Sequence, residues 1–188
     1  ERLLILMEIP TDEIRQQLVS LQEEWAEIRG EVNWVAPENL HITLLFLGEV
    51  EQRETFSICR AAKKAIAAMP AFAITIEGAG SFPNTRRPRT LWVGVGKGRS
   101  EVCAVHDAIE APLLEMGSYR RETRGYQPHV TLGRIKGGEE ADVWSRAVAE
   151  RKTWSAGEMI VSEVQIMSSV LRSEGPAYTV LGRARLAE

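Results

Sequence analysis

One short stretch occurs twice in the chain, as Leu40-His41-Ile42-Thr43-Leu44 and Pro128-His129-Val130-Thr131-Leu132. Each reads His-x-Thr with a β-branched spacer. In an extended strand successive side chains alternate between faces, so the histidine and threonine of each copy point one way while Ile42 and Val130 point the other. The two copies are separated by close to half of the 188-residue chain. Such a spacing predicts two similar lobes rather than a short-period solenoid, with two imidazoles facing one another across a cleft.

The remaining pattern is compatible with such lobes. Leu3 to Ile9 is a nearly continuous apolar run stopped by Pro10, and Thr11 is placed to cap a helix carrying Ile14, Leu18, Leu21, Trp25 and Ile28 on one stripe, ended by Gly30. Trp34 to Asn39 leads through a proline bend into a strand from Leu40 to Leu47, which Gly48 closes. Arg53 to Met69, with Phe56, Cys59, Ala62, Ile66 and Met69 on one face, predicts a second helix. Two strands, Phe72 to Ile76 and Thr90 to Val95, flank a loop from Gly80 to Arg89 that carries Phe82, Arg86, Arg87 and Arg89. A helix from Ser100 to Met116, capped by Ser100, kinked at Pro112 and stopped at Gly117, precedes a loop with Arg120, Arg121 and Arg124. His106 on that helix is expected to be structural or solvent-facing, with no acidic triplet at ligand spacing. Tyr126 to Ile135 is the second motif strand. Arg134, three residues after Thr131, falls on the opposite face unless the strand ends or bulges at Gly133. Glu139 to Lys152 reads as the last helix, and three closing strands follow, the last two joined by a hairpin at 172–176. This order predicts an α+β fold with largely antiparallel sheets.

Composition narrows the function classes. A net charge of −3 excludes a nonspecific nucleic-acid coat, so any anion site is local. Cys59 and Cys103 lie in helical patterning and are expected to be buried free thiols rather than a disulfide or metal site. No apolar run reaches bilayer length and the acid-flanked start is too short for a signal peptide, so a cytoplasmic chain with no membrane partner, acting as a monomer, is expected.

Imidazole titrates near pH 6.5, so one of two facing rings can accept a proton while the other gives one, and a threonine hydroxyl beside each can donate to a phosphate oxygen. Two such units suit an in-line reaction at an anionic tetrahedral centre. A single histidine on a strand is ordinarily a structural hydrogen-bonded residue, and the duplication argues against that here. Two histidines without matching carboxylates or cysteines make a poor zinc site, and no metal or cofactor is expected.

The stretches Trp34-Val35-Ala36-Pro37-Glu38-Asn39-Leu40-His41-Ile42-Thr43-Leu44-Leu45-Phe46-Leu47-Gly48, Leu91-Trp92-Val93-Gly94-Val95 and Pro128-His129-Val130-Thr131-Leu132-Gly133-Arg134 resemble the two-histidine (2H) phosphoesterase superfamily, within it the RNA 2′,3′-cyclic phosphodiesterases once called 2′-5′ RNA ligases. The resemblance runs through Gly175-Pro176-Ala177-Tyr178. It implies a bilobal, pseudo-twofold fold with two sheets lining a central cleft and helices on the outer faces, a single domain over 1–188 whose interleaved lobes carry His41/Thr43 and His129/Thr131. It implies metal-free hydrolysis of a terminal 2′,3′-cyclic phosphate to a 2′-phosphomonoester, and reverse 2′-5′ ligation by microscopic reversibility. In those terms His41 is the proton donor, His129 the proton acceptor, and Thr43 and Thr131 hold the non-bridging oxygens. Arg134 is the first candidate among the arginines for a phosphate contact, and Phe82 or Tyr126 for stacking on a base. The partner is RNA with a cyclic phosphate end or a small cyclic nucleotide; a noncatalytic nucleotide-binding module is the rival class.

Overall fold

The computed structural model describes residues 1–9, 12–122, 124–138 and 140–188, with Asp12 by its backbone alone. The expected stop at Pro10, cap at Thr11 and helix start at Glu139 lie outside the described residues. The elements run β1 (Arg2–Glu8), α1 (Asp12–Ala26), β2 (Glu31–Trp34), β3 (His41–Glu49), α2 (Thr55–Ile66), β4 (Phe72–Phe82), β5 (Thr90–Val95), α3 (Arg99–Glu115), β6 (His129–Lys136), α4 (Ala141–Glu150), β7 (Ser155–Val161), β8 (Glu163–Arg172) and β9 (Gly175–Arg185).

Neighbouring strands follow the order β7-β4-β5-β6-β3-β1-β8-β9, with β2 paired to β6, and every ladder is antiparallel. The expected two sheets are thus halves of one curled sheet. They meet at β3 and β6, whose ladder holds the pair Ile42↔Val130 and no more among the described residues. Both of those side chains are fully buried, each burial contributing about 1.5–3 kcal/mol. The strands splay from that seam and open the cleft.

Helices cover the outer side. α1 and α4 pack on the β7, β4 and β6 half, and α2 and α3 on the half containing β9 and β3. Trp25 of α1 meets Trp144 of α4 edge to face at 6.2 Å, a geometry that adds about 0.5–1.5 kcal/mol to their burial.

Several local expectations are corrected. Phe56 is 71% exposed, because α2 buries the stripe Ile58, Cys59, Ala62 and Ile66 and Phe56 lies off it in the first turn. Ser100 does not cap α3: the cap is Gly98 at φ 82, where a Cβ would strike the Ala73 carbonyl, and the Ser100 hydroxyl donates to Glu101 instead. Gly48 lies within β3 rather than closing it. β4 runs on through Gly80 to Phe82, held there by β5, where a loop was expected. Both cysteines are free; Cys59 is buried and Cys103 only half-buried.

Candidate active site

The Ile42↔Val130 pairing sets the register of the site. It brings His41 level with Thr131 and Thr43 level with His129, all on the face opposite the two core residues. All four are half-buried. The structure therefore brings together the four residues that the repeated motif singles out.

The tautomer of each ring follows from its backbone contact. His41 Nδ1 lies 2.6 Å from Asn39 O, and His129 Nδ1 lies 2.7 Å from Gln127 O. A carbonyl can only accept, so each Nδ1 carries the proton and Nε2 is the free nitrogen. Thr43 Oγ1 donates to His41 Nε2 at 2.9 Å in the neutral state. Asn39 is itself tied to β9 by a 3.2 Å bond from its Nδ2 to Pro176 O. Each imidazole is thereby aimed into the cleft by the residue two positions before it.

Burial is the largest influence on both rings and pushes both pKa values below the ordinary histidine range. The carbonyl contacts oppose that shift. The remaining influence differs: His41 is lowered by the charge of His129, and His129 by the charge of Arg134. One proton shared between the rings is consequently favoured over two.

Arg134 reaches the site through a bulge. Along β5 and β6 the partners run Gly94↔His129, Val93↔Val130, Trp92↔Thr131, then Leu91↔Gly133 and Thr90↔Arg134, so Leu132 is skipped and the parity of the strand reverses. Arg134 joins the His129 face and donates to Thr90 Oγ1 at 3.0 Å. β3 carries the same irregularity, with Leu6↔Thr43 followed by Ile5↔Leu45 and Leu4↔Phe46. Phe46 is the counterpart of Arg134. It is 45% exposed and lines the cavity beside Thr43, a position the sequence reasoning missed although both residues follow their histidine by the same offset.

Aromatic rings wall the histidines. Phe82 is edge-on to His129 at 4.9 Å and tilted against Trp92 at 5.0 Å, and Trp92 lies 5.8 Å from His129. Tyr178 of β9 meets His41 edge-on at 5.6 Å. Tyr126 is already engaged: its hydroxyl donates to Thr43 O at 2.9 Å and its ring stacks on His106 at 4.1 Å. Phe82 thus keeps its candidacy for base stacking better than Tyr126 does.

The cavity, of about 900 Å³, extends past His129 and Arg134 to α3. Here the reading of His106 is corrected. His106, Asp107 and Glu110 do form a triplet, their ligand-type atoms within 4.8 Å of one another. Asp107 lies 2.9 Å from Nδ1 and Glu110 3.6 Å from Nε2, so the carboxylates address opposite edges of the ring. Glu110 also pairs with Arg121 at 3.3 Å. Arg121 and Arg124 line this cavity, whereas Arg86, Arg87 and Arg89 line another.

A family model described as LigT-like phosphoesterase matches residues 9–92. The chain is 34% identical over 171 residues to the RNA 2′,3′-cyclic phosphodiesterase of Aeropyrum pernix, covering 91% of this chain and 96% of that one. The chain belongs to the LigT-like 2H phosphoesterase family. It is 35% identical over 179 residues to the RNA 2′,3′-cyclic phosphodiesterase of Archaeoglobus fulgidus, with 94% and 96% covered. The crystal structure of TT0787, a protein of Thermus thermophilus, superposes with a TM-score of 0.83 at 26% identity over 99% of this chain and 98% of that one. As a member of this family the chain is an enzyme, a phosphodiesterase. No helix among the described residues is long and apolar enough to cross a membrane.

Proposed function

We propose that the enzyme hydrolyses a terminal 2′,3′-cyclic phosphate of RNA to a 2′-phosphomonoester, with His129 as base and His41 as acid. Water bound at His129 Nε2 gives up a proton as its oxygen attacks phosphorus. The P–O3′ bond breaks in line, and His41 Nε2 delivers a proton to O3′. Thr43 and Thr131 donate to the non-bridging oxygens and Arg134 offsets their charge. The observation that carries the division of roles is Arg134 beside His129, because a fixed cation there disfavours the imidazolium and suits that ring to the task of base. A ribose hydroxyl of a second strand in place of water would give a 2′-5′ linkage from the same acid and base.

The matching bulges in β3 and β6 support a further part of this reading: a single domain of two pseudo-symmetric lobes, one carrying His41 and Thr43 and the other His129 and Thr131. The free cysteines suit a reducing cytoplasm.

An oligoribonucleotide ending in a 2′,3′-cyclic phosphate, incubated with the enzyme and a chelator, is expected to become a 2′-phosphomonoester. A 3′-phosphate product would overturn the assignment of the leaving oxygen, and loss of turnover in chelator would overturn the metal-free mechanism. Acidity gives an independent check. A ring whose pKa is lowered is mostly neutral at pH 7, so the acid form of the pair declines as pH rises through a value below about 6.5. A bell-shaped kcat/KM profile with its optimum on the acid side of neutrality is expected. An alkaline limb at pH 8 or above would contradict the buried, mutually repelling pair.

A further inference from the structure

Past the start of β5 and the end of β6 lies a second cavity of about 810 Å³. Its lining brings together the cations Arg29, Arg86, Arg87, Arg89 and Lys136, on a chain whose net charge is −3. Three carboxylates share it, Glu31, Glu140 and Asp142, and the first of these is paired with Lys136 at 3.7 Å. Arg89 is steadied at the mouth by its Nη1 donation to Gly137 O at 3.2 Å. Asn84 Oδ1 accepts from the backbone N–H groups of Arg86 and Arg87 at 3.0 Å each, which folds the tip of the β4–β5 hairpin so that it displays both side chains.

An independent feature points to a ligand with acceptor oxygens. Trp144 also lines this cavity and is 1% exposed, yet its indole N–H has no partner among the described residues. A buried donor left without an acceptor is costly. Gly30, at φ 126, lies beside it, and a Cβ there would come within 3.4 Å of Nε1.

The cavity adjoins the active site. Thr90 and Arg134 line the catalytic cleft, while their chain neighbours Arg89 and Ile135 line this cavity and are joined by a 2.7 Å bond from Ile135 N to Arg89 O. A single strand leaving the cleft over the hairpin tip would pass directly onto the cationic lining.

We propose that this cavity binds phosphates of the RNA strand upstream of the cyclic end, so that the enzyme holds its substrate as an oligonucleotide. The inference rests on the RNA-end reading above. It assigns Arg86, Arg87 and the Trp144 indole N–H to substrate affinity, with no part in the chemical step. Single-strand binding of this kind releases counterions, roughly 0.7 per phosphate neutralised.

The test compares a 2′,3′-cyclic mononucleotide with a hexaribonucleotide ending in the same cyclic phosphate, in wild type, Arg86→Ala/Arg87→Ala and Trp144→Phe. For the double variant, KM on the hexamer is expected to rise about tenfold, with kcat on both substrates and KM on the mononucleotide unchanged. The slope of log kcat/KM against log salt on the hexamer should flatten by about one. Trp144→Phe, which keeps a ring but removes the donor, should raise hexamer KM about threefold. Equal effects on the two substrates, or none on the hexamer in the double variant, would overturn the subsite. Failure of the wild type on both substrates would instead overturn the RNA-end reading itself.

Discussion

His129→Ala and His41→Ala are each expected to lower kcat/KM on a cyclic-phosphate substrate by about 10²–10⁴-fold, the usual contribution of a positioned acid or base. Both side chains are only half-buried and make one backbone bond each through Nδ1. Folding is therefore expected to survive either replacement, with unchanged circular dichroism and a shift in denaturation midpoint corresponding to no more than about 1–2 kcal/mol. The variants should differ in pH dependence. His129→Ala removes the base and with it the acid limb of the profile, while His41→Ala removes the alkaline limb. Because the two act on one proton inventory, the double variant should lose much less than the product of the single losses. Substantial activity in both single variants would sink the roles assigned to them.

Gly80→Ala is expected to damage both stability and turnover. Gly80 stands directly opposite Trp92 on the β4–β5 ladder, and a Cβ on Gly80 would overlap the six-membered ring of Trp92. That ring has little room to retreat, being packed against Phe82 at 5.0 Å and near His129 at 5.8 Å. Overpacking of this kind costs about 1–3 kcal/mol, to be read as a lowered urea midpoint at unchanged m. The displaced indole would press on His129, so a fall in kcat larger than any rise in KM is expected. Gly80→Ala/Trp92→Leu isolates the cause. If the collision is responsible, the double variant should be more stable than the sum of the single effects allows, by about 0.5–3 kcal/mol. Wild-type stability and activity in Gly80→Ala would show that the indole has another place to go.

The parts of the fold that were legible from sequence are those specified within one element. β5 spans Thr90–Val95 as the alternation predicted, and the β8–β9 hairpin turns at residues 173–174, between Arg172 and Gly175. β2 escaped notice because four residues with two exposed positions carry almost no pattern of their own; its pairing with the end of β6 makes it a strand. The Gly80-Ser81-Phe82 stretch of β4 read as loop for the same reason, since its pairing with β5 makes it a strand. Asp107 and Glu110 were in plain view beside His106, yet their common approach to the imidazole depends on how α3 faces the cavity.

The sequence by itself determined that His41 and Thr43, and again His129 and Thr131, share a face, because side-chain alternation is a local property of extended backbone. It also paired the two motifs by their likeness. Only the tertiary structure decided that Arg134 stands beside His129 and that Phe46 takes the equivalent place on β3, because each depends on a bulge, and a bulge exists only against a partner strand. That difference sets a positive charge beside one imidazole and leaves an apolar ring at the equivalent position of the other strand, and so breaks the symmetry that the repeated motif alone could not break.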